Sequence, residues 1–254
     1  MPAPDTRPSY TEGRSVFAEL AAQVYCHRWL ATLSVPVLRG GVPSDPKVAE
    51  GWIRTKFGDK DAVIRELVEE TIAARLGGGE PADRAVAVEQ AIAEVADTRC
   101  LNGFKRTSAG ELYIEARQIK AMIKEAANIR WPKGRWGATS KGTRSWFAEH
   151  VFIPDAPILI RDAFGKPRTS VDEVAQDFVH TRFGAAIKYA ETARNAIVQF
   201  TVSADWDLDA ERARDGGEPR SWGHLWVTAE QQGLGADRSQ GFGAFQVIGW
   251  ERIS

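Results

Sequence analysis

"GLGADRSQGFGAFQVIGWERI", residues 233–253, joins a glycine-rich stretch to the alternating apolar pattern of a terminal strand. Glycine weakens strands and helices, so Gly233, Gly235, Gly241 and Gly243 indicate either turns with positive φ or a backbone that comes very close to another group. We predict a turn whose backbone amides approach a phosphate, with Arg238 beside it. The alternative is a β-bulge that only shapes the entry to the strand.

The composition is that of one folded domain. The chain has 254 residues, of which 43% are hydrophobic and 26% are charged, as in globular proteins with a sizeable core. It has no apolar run of about 18 residues, and its N-terminal stretch lacks the apolar centre of a signal peptide, so we expect a cytoplasmic location without a membrane partner. Cys26 and Cys100 have neither disulfide nor zinc-site spacing and are expected to be buried; no cofactor or metal is expected.

The charges separate along the chain although the net charge is only −1. Residues 59–97 hold ten acidic against four basic residues, a net charge of −6, whereas residues 117–144 have a net charge of +7 with Glu125 as their one acidic residue. Such asymmetry is typical of a surface that faces a polyanion; a solvated loop balanced by an acidic neighbour is the alternative. The basic residues are Arg117, Lys120, Lys124, Arg130, Lys133, Arg135, Lys141 and Arg144.

Hydrophobic spacing predicts an α+β fold. Alternation predicts strands at 27–38, 177–183, 187–193, 195–205 and 244–253, a hairpin at 103–114 and a broken edge strand at 151–160. Helical spacing predicts helices at 115–129 and 221–233, and an acidic helical insertion at 47–99 within a single domain of residues 1–254. This order fits a ferredoxin-like or RNA-recognition-type antiparallel sheet with helices on one face.

A basic stretch with three tryptophans follows the first of these helices: "RWPKGRWGATSKGTRSW", residues 130–146. It is too polar for a core segment and too aromatic for a plain linker. Proteins that bind single strands without sequence preference use cationic grooves for the backbone and aromatic faces for the bases. We therefore predict that Trp131, Trp136 and Trp146 stack on bases; the alternative is that they pin a long loop to the core.

Other motifs are missing. "GRWGATSKGT" (134–143) lacks the phosphate-loop spacing, and Arg238 stands where a dinucleotide-binding fingerprint needs its third glycine. Asp205, Asp207 and Asp209 alternate but lack the remaining ligands of a calcium loop. The four histidines are scattered and lie in no catalytic motif.

Two segments carry a resemblance to a known family. "GLGADRSQGFGAFQV" (233–247) resembles the C-terminal glycine-rich loop of the RAMP superfamily, the RNA-binding proteins of CRISPR systems. "ELYIEARQIKAMIKEAANI" (111–129) is similar to the place in their backbone subunits where a short strand enters a basic helix, with Glu115, Ala116 and Arg117 replacing the usual Pro-Gly-Ser. The resemblance covers roughly residues 26–46 and 100–254. The same order also resembles uncharacterised phage and prophage proteins that share this ending.

The resemblance implies a non-catalytic RAMP-type subunit that binds single-stranded nucleic acid, RNA preferred, and self-associates along the strand. The groove would be formed by the basic helix, the 130–147 loop and the 235–243 turn, with the 47–99 insertion docking on a neighbouring copy. A metal-independent endoribonuclease is the competing hypothesis, with His27 or His150 as general base and Lys120 stabilising the phosphorane, or with Asp45 in a target-cleaving variant. A phage structural or partner-binding protein is the third.

Overall fold

The computed structural model describes residues 23–43, 101–181, 184–210 and 219–253. The predicted acidic insertion at 47–99, Asp45 and Cys100 lie outside these residues, so the statements about them stay predictions. None of the helices within these ranges is long and apolar enough to cross a membrane. Cys26 is exposed, so the expectation that it is buried was wrong.

The described chain consists mainly of strands, with three α-helices. The strands are β1 (His27–Arg39), β2 (Val42–Pro43), β3 (Leu101–Gly103), β4 (Lys105–Arg106), β5 (Leu112–Ile114), β6 (Arg135–Trp136), β7 (Lys141–Gly142), β8 (Val151–Phe152), β9 (Ile158–Arg161), β10 (Glu173–Thr181), β11 (Gly184–Ala204) and β12 (Gln246–Arg252). The helices are α1 (Ala116–Arg130), α2 (Thr143–His150) and α3 (Trp222–Gln232), with 3₁₀ turns at Leu208–Ala210 and Arg238–Gln240.

One large sheet organises the fold. Its strands lie in the order β12-β1-β11-β9-β5-β4, with each neighbouring pair antiparallel; β8 and β10 also pair with β11 in antiparallel fashion, and β3 pairs with it in parallel. The β6–β7 hairpin forms a separate two-stranded sheet. The predicted α+β class with a mainly antiparallel sheet is confirmed.

The core lies where the predicted alternation puts it. Alternate residues of β1, from Trp29 to Val35, are buried, and the register places Ala31 opposite Phe200 and Leu33 opposite Val198. In α1 the buried residues are Ile119, Met122, Ile123, Ala126 and Ala127, at the spacing of one helix face. α1 contacts both α2 and α3, and all these residues belong to one hydrophobic cluster.

β11 joins two segments that the sequence predicts as separate strands, 187–193 and 195–205. Asn195 has a φ of +48°, in the left-handed region that asparagine tolerates better than most residues. Opposite this point β1 carries Pro36, which has no backbone N–H to donate. The ladder therefore continues through a local irregularity, and the same strand pairs with β10 at one end and β1 at the other.

The tryptophan-containing stretch, residues 130–146, is more buried than its polarity indicates. Trp136 is 0% exposed and Trp131 is 6% exposed. Trp136 Nε1 donates to Thr143 Oγ1 at 2.9 Å, and Thr143 Oγ1 donates to the Trp131 carbonyl at 2.7 Å. The Arg220 guanidinium lies 3.9 Å from the centre of the Trp136 ring and donates to the Arg135 carbonyl.

The prediction that Trp131 and Trp136 stack on bases was therefore wrong. The hydrogen bonds from Trp136 Nε1 to Thr143 Oγ1 and from Thr143 Oγ1 to the Trp131 carbonyl satisfy the polar atoms around the Trp136 indole, which lets this indole join the core. Trp146 is half-buried and packs against Trp206 with 6.0 Å between ring centres, so the alternative that the tryptophans pin this segment to the core is the correct one.

Candidate nucleic-acid interface

The basic face of α1 begins at its first turn. Arg117, Lys120 and Lys124 lie at i, i+3 and i+7, one above another on the helix. Glu115, at the N-cap, bonds to Arg117 Nη2 at 2.5 Å and to Lys105 Nζ at 3.2 Å. Burial raises the pKa of Glu115, but the hydrogen bond from Arg117 and the nearby positive charges outweigh it and hold that pKa below its usual value. Part of the Arg117 charge is thus balanced within the chain.

A groove of about 610 Å³ opens beside this face, and we call it the Lys120 groove. It is lined by Tyr25, Arg28, Ala116, Arg117, Lys120, Phe152, Ile153, Pro154 and Ser203. Its floor follows from the sheet register, which places Arg28 opposite Ser203 and Ser203 opposite Phe152. Residues directly opposite each other point to the same face of a sheet. Three strands therefore deliver a cation, a hydroxyl and an aromatic ring in one row.

Lys120 is the central cation of the groove. Its Nζ lies 4.5 Å from the centre of the Phe152 ring, whose own centre is 4.6 Å from that of Tyr25. Within the part of the chain that the structure describes, neither Lys120 nor Arg28 has a carboxylate partner. Burial, and then the charge of Lys124, lower the pKa of Lys120. A cation without an acidic partner in a mainly apolar groove suits an external anion.

A second groove of about 570 Å³, which we call the Arg106 groove, adjoins the first. It is lined by Arg106, Thr107, Tyr113, Glu115, Ala116, Arg117, Ala156 and Pro157, so the two grooves share Ala116 and Arg117. Burial, and then the negative charge of Glu115, raise the pKa of Tyr113. The second groove extends the basic and aromatic lining of the first.

The loop between β8 and β9 separates the two grooves. β8 and β9 both pair with β11 but leave a gap between them, and in this gap the Asp155 carboxylate accepts a hydrogen bond from the Thr201 backbone N–H. A buried N–H without a partner is costly, so Asp155 replaces the missing strand. Because the strand is interrupted here, the loop can leave the sheet and form a wall of each groove.

The remaining basic residues of 117–144 lie elsewhere. Arg130 ends α1, and Lys133 lies in the turn that follows. Arg135 and Lys141 lie on the β6–β7 hairpin, and Arg144 lies in α2. None of these five residues lines the Lys120 groove. Lys141 pairs with Glu149, and Arg135 Nη1 donates to the Ser140 carbonyl at 3.5 Å. The structure therefore brings only Arg117 and Lys120 of the predicted set to the Lys120 groove, with Lys124 one turn further along α1.

The glycine-rich turn packs against β1. Gly243 donates its N–H to the Val37 carbonyl at 2.9 Å and accepts from Leu234 N at 2.8 Å. A Cβ on Gly243 would lie 1.8 Å from the Leu234 carbonyl oxygen, and φ is +76°. A Cβ on Gly235 would lie 2.8 Å from the Arg39 carbonyl oxygen. The prediction that the Gly243 amide approaches a phosphate was wrong, since that amide is used within the fold.

The other end of the turn contacts α1. Gly241 has a φ of +85° with nothing near the position of a Cβ, and its N–H donates to the Arg238 carbonyl. Arg238 Nη1 bonds to Glu125 Oε2 at 2.8 Å. The predicted phosphate-binding arginine thus has an acidic partner on the helix, although both side chains keep about a third of their surface exposed.

Arg39 holds this turn in place, a role that the sequence pattern does not predict. Its side chain is 5% exposed, and its guanidinium lies 3.5 Å from the centre of the Phe242 ring and pairs with Asp177 of β10 and with Asp237 of the turn. Tyr25, Arg28 and Phe152 were missed as groove residues too. The one signal for Arg28 was its position on the polar face of β1, next to buried Trp29.

The candidate general bases are oriented by neighbours. His150 Nδ1 is 2.8 Å from Asp205 Oδ2, and its ring lies 3.8 Å from that of Trp146. His27 Nδ1 accepts from Arg252 Nη2 at 2.8 Å. In the described ranges no three His, Cys, Asp or Glu side chains cluster in a way that could hold a metal ion.

No protein-family model matches the chain, and no curated protein matches it. Among solved structures, a chain of the "Cryo-EM structure of the Type III-B Cmr-beta bound to cognate target RNA" is 12% identical, with a TM-score of 0.38, over 94% of this chain. The matched region spans 65% of that chain. A likeness at this level carries no argument about the family or function of the present chain.

Proposed function

We propose that this chain is a non-catalytic protein that binds single-stranded nucleic acid, RNA preferred, along the Lys120 and Arg106 grooves. One observation carries the proposal: the Lys120 groove combines three basic side chains, from Arg28, Arg117 and Lys120, with the rings of Tyr25 and Phe152. Binding without sequence preference rests on this combination, in which cations follow the phosphates and aromatic faces contact the bases.

The charges support a phosphate ligand. Arg28 and Lys120 bring positive charge to the groove without a carboxylate neighbour in the described ranges. Placing the Lys120 ammonium in an apolar groove disfavours its charged form, as the lowered pKa of Lys120 shows. An incoming phosphate offsets that cost.

The aromatic and hydroxyl groups support a single strand. Bases inside a duplex are stacked, so only an unpaired base can place its face on Tyr25 or Phe152. The hydroxyls of Tyr25 and Ser203 line the same groove and can each donate or accept a hydrogen bond. A ribose 2′-hydroxyl can do the same, and this favours RNA over DNA.

The topology supports a RAMP-type assignment. With the short strands, α2 and β10 left out, the elements β1, α1, β9, β11, α3 and β12 come in the order strand, helix, two strands, helix and strand. Their strands lie in the order β12-β1-β11-β9. This succession is the split arrangement of ferredoxin-like folds. We propose in addition that copies of the chain line up along a strand. Light scattering with RNAs of increasing length tests this, because the mass should then rise in steps.

The binding test measures anisotropy of a labelled single-stranded RNA, and of DNA of the same sequence, over a salt series. Each phosphate contact contributes a slope of about −0.7 in log K against log salt for single strands. Arg28→Gln combined with Lys120→Gln should weaken binding and flatten the slope by roughly 1 to 1.5.

The matched control is Lys166→Gln, which removes a positive charge from an exposed side chain that lines neither groove. It should change neither the affinity nor the slope by a comparable amount. If the double variant and the control behave alike, the Lys120 groove is not the binding site.

The His150–Asp205 pair favours a second candidate, a metal-independent endoribonuclease. Phe152 lies opposite Ser203 in the register, and His150 and Asp205 are each two residues away from this pair along the chain, roughly 7 Å in extended backbone. A histidine whose Nδ1 is held by a carboxylate can take a proton from a 2′-hydroxyl through Nε2, with Lys120 stabilising the charge on phosphorus.

This candidate predicts cleavage of RNA in the presence of a chelator, with a 2′,3′-cyclic phosphate end, and no cleavage of DNA. His150→Gln should abolish the cleavage without changing RNA affinity. Intact RNA after prolonged incubation with the wild-type protein would exclude the enzyme and leave the binding proposal standing.

A further inference from the structure

The Lys120 groove also has the chemistry of a lysine modification site. We propose that Lys120 is a nucleophilic lysine that is acylated by small acyl phosphates, which Arg28 and Arg117 hold in the Lys120 groove. This inference does not depend on nucleic-acid binding, since its ligand is a small anion and its product is a covalent amide.

The surroundings of Lys120 favour a nucleophilic amine. Two other lysines of the described chain are paired with carboxylates, Lys105 with Glu115 and Lys141 with Glu149, and a carboxylate neighbour keeps an ammonium protonated. Lys120 instead has an aromatic ring and two arginines around it, and Lys124 one turn further along. Burial and the charge of Lys124 both lower its pKa, which raises the fraction of unprotonated amine at neutral pH.

The groove also provides a binding site for the phosphate group of the acyl donor. Arg28 and Arg117 line it together with Lys120, so a phosphate bound by either guanidinium lies in the same groove as the amine. Guanidinium groups bind phosphate oxygens through charge-assisted hydrogen bonds. A volume of about 610 Å³ is ample for a small acyl phosphate. Holding the two reactants together then accelerates a step that would otherwise need a collision.

The reaction balances without a further reagent. The Lys120 ammonium first loses a proton to water, and the Nζ lone pair then attacks the acyl carbonyl carbon. The C–N bond forms, the bond from that carbon to the phosphate oxygen breaks, and inorganic phosphate leaves with the electron pair. The nitrogen loses its second proton to water, and nothing is oxidised or reduced. The product is a neutral amide, so the groove loses one positive charge.

The test follows acetylation of each lysine by mass spectrometry after incubation of the full chain with acetyl phosphate. Lys124 is the internal control, because it lies on the same helix, is also half-buried and lines neither groove. We expect Lys120 to be acetylated about fivefold faster than Lys124, or more. Equal rates would overturn the proposal.

Two further measurements test phosphate capture. With N-acetylimidazole, an acyl donor that has no phosphate, the preference for Lys120 should fall. With acetyl phosphate, Arg28→Gln should lower the ratio of the two rates about threefold. A preference unchanged in both experiments would refute the role of the arginines.

Inorganic phosphate provides a test that needs no variant. Added to the wild-type protein, it should slow acetylation of Lys120 and leave that of Lys124 unchanged, because it competes for the two guanidinium groups. If both lysines respond equally to inorganic phosphate, the groove does not hold the phosphate and the proposal fails.

Discussion

Replacing Gly243 and Gly241 by alanine separates two reasons for a glycine in this turn. Both residues have φ values in the left-handed region, +76° and +85°. A Cβ at 241 would meet nothing within 4 Å, whereas a Cβ at 243 would lie 1.8 Å from the Leu234 carbonyl oxygen. The two variants thus share the conformational cost and differ in the steric one.

The structure sets the expected magnitudes. A left-handed backbone costs an alanine about 1–2 kcal/mol, which is the whole effect expected for Gly241→Ala. Gly243→Ala adds about 1–3 kcal/mol for forcing atoms into a packed site. It also strains the hydrogen bonds from Leu234 N to the Gly243 carbonyl and from Gly243 N to the Val37 carbonyl, each worth about 0.5–1.5 kcal/mol. The free energy of unfolding should therefore fall by about 2–4 kcal/mol more in Gly243→Ala than in Gly241→Ala.

Urea unfolding followed by tryptophan fluorescence measures this difference. The effect of alanine on the unfolded chain is the same in both variants and cancels in the comparison. Equal unfolding midpoints would refute the packing argument. A Gly243→Ala variant that kept its stability and lost nucleic-acid binding would indicate that this amide contacts a phosphate.

Three other substitutions test separate parts of the fold. Trp136→Ala should lower the free energy of unfolding by about 3–5 kcal/mol, and an unchanged melting temperature would contradict the burial of this indole. Lys120→Met should raise the melting temperature at neutral pH, because burial and Lys124 disfavour the ammonium. This gain should shrink as the pH rises from the lowered pKa of Lys120 towards that of an ordinary lysine, and a gain independent of pH would argue against the cause given. Asp155→Ala should cost about 1–3 kcal/mol in chemical denaturation by leaving the Thr201 N–H without its acceptor, and no loss would mean that water replaces the carboxylate.

Local periodicity was enough to predict the main elements. The alternation in 27–38 corresponds to β1, and the spacing of Ile119, Ile123 and Ala126 corresponds to the buried face of α1. These patterns are visible because each element is long enough to show its own period. The strands β6 and β7 have only two residues each and are too short to show a period, so the stretch around Trp136 was interpreted as an exposed loop.

The site depended on contacts that no local pattern contains. Arg220 covers Trp136 from 84 positions away in the sequence, and Arg28, Ser203 and Phe152 meet only through the register of three strands. The basic face of α1 was predicted because it repeats every turn. Its partners in the groove include residues of β1, β8 and β11, and a single sequence does not show which strands lie next to each other.

The Arg39 contacts give the glycine-rich turn a mechanical role. β10 and β11 form a hairpin whose paired strands run for nine residues on the β10 side, roughly 30 Å of ribbon. Arg39 joins Asp177 on this ribbon to Asp237 and Phe242 of the turn, close to the end at which the ribbon leaves the sheet. Arg39 therefore fixes the ribbon close to the point about which the ribbon would rotate. Beyond Asp177 the ribbon extends by four β10 residues, about 13 Å, so a rotation of about 5° there would move the far end by roughly 1 Å. Changes in the turn should thus alter the direction of the outer half of this hairpin.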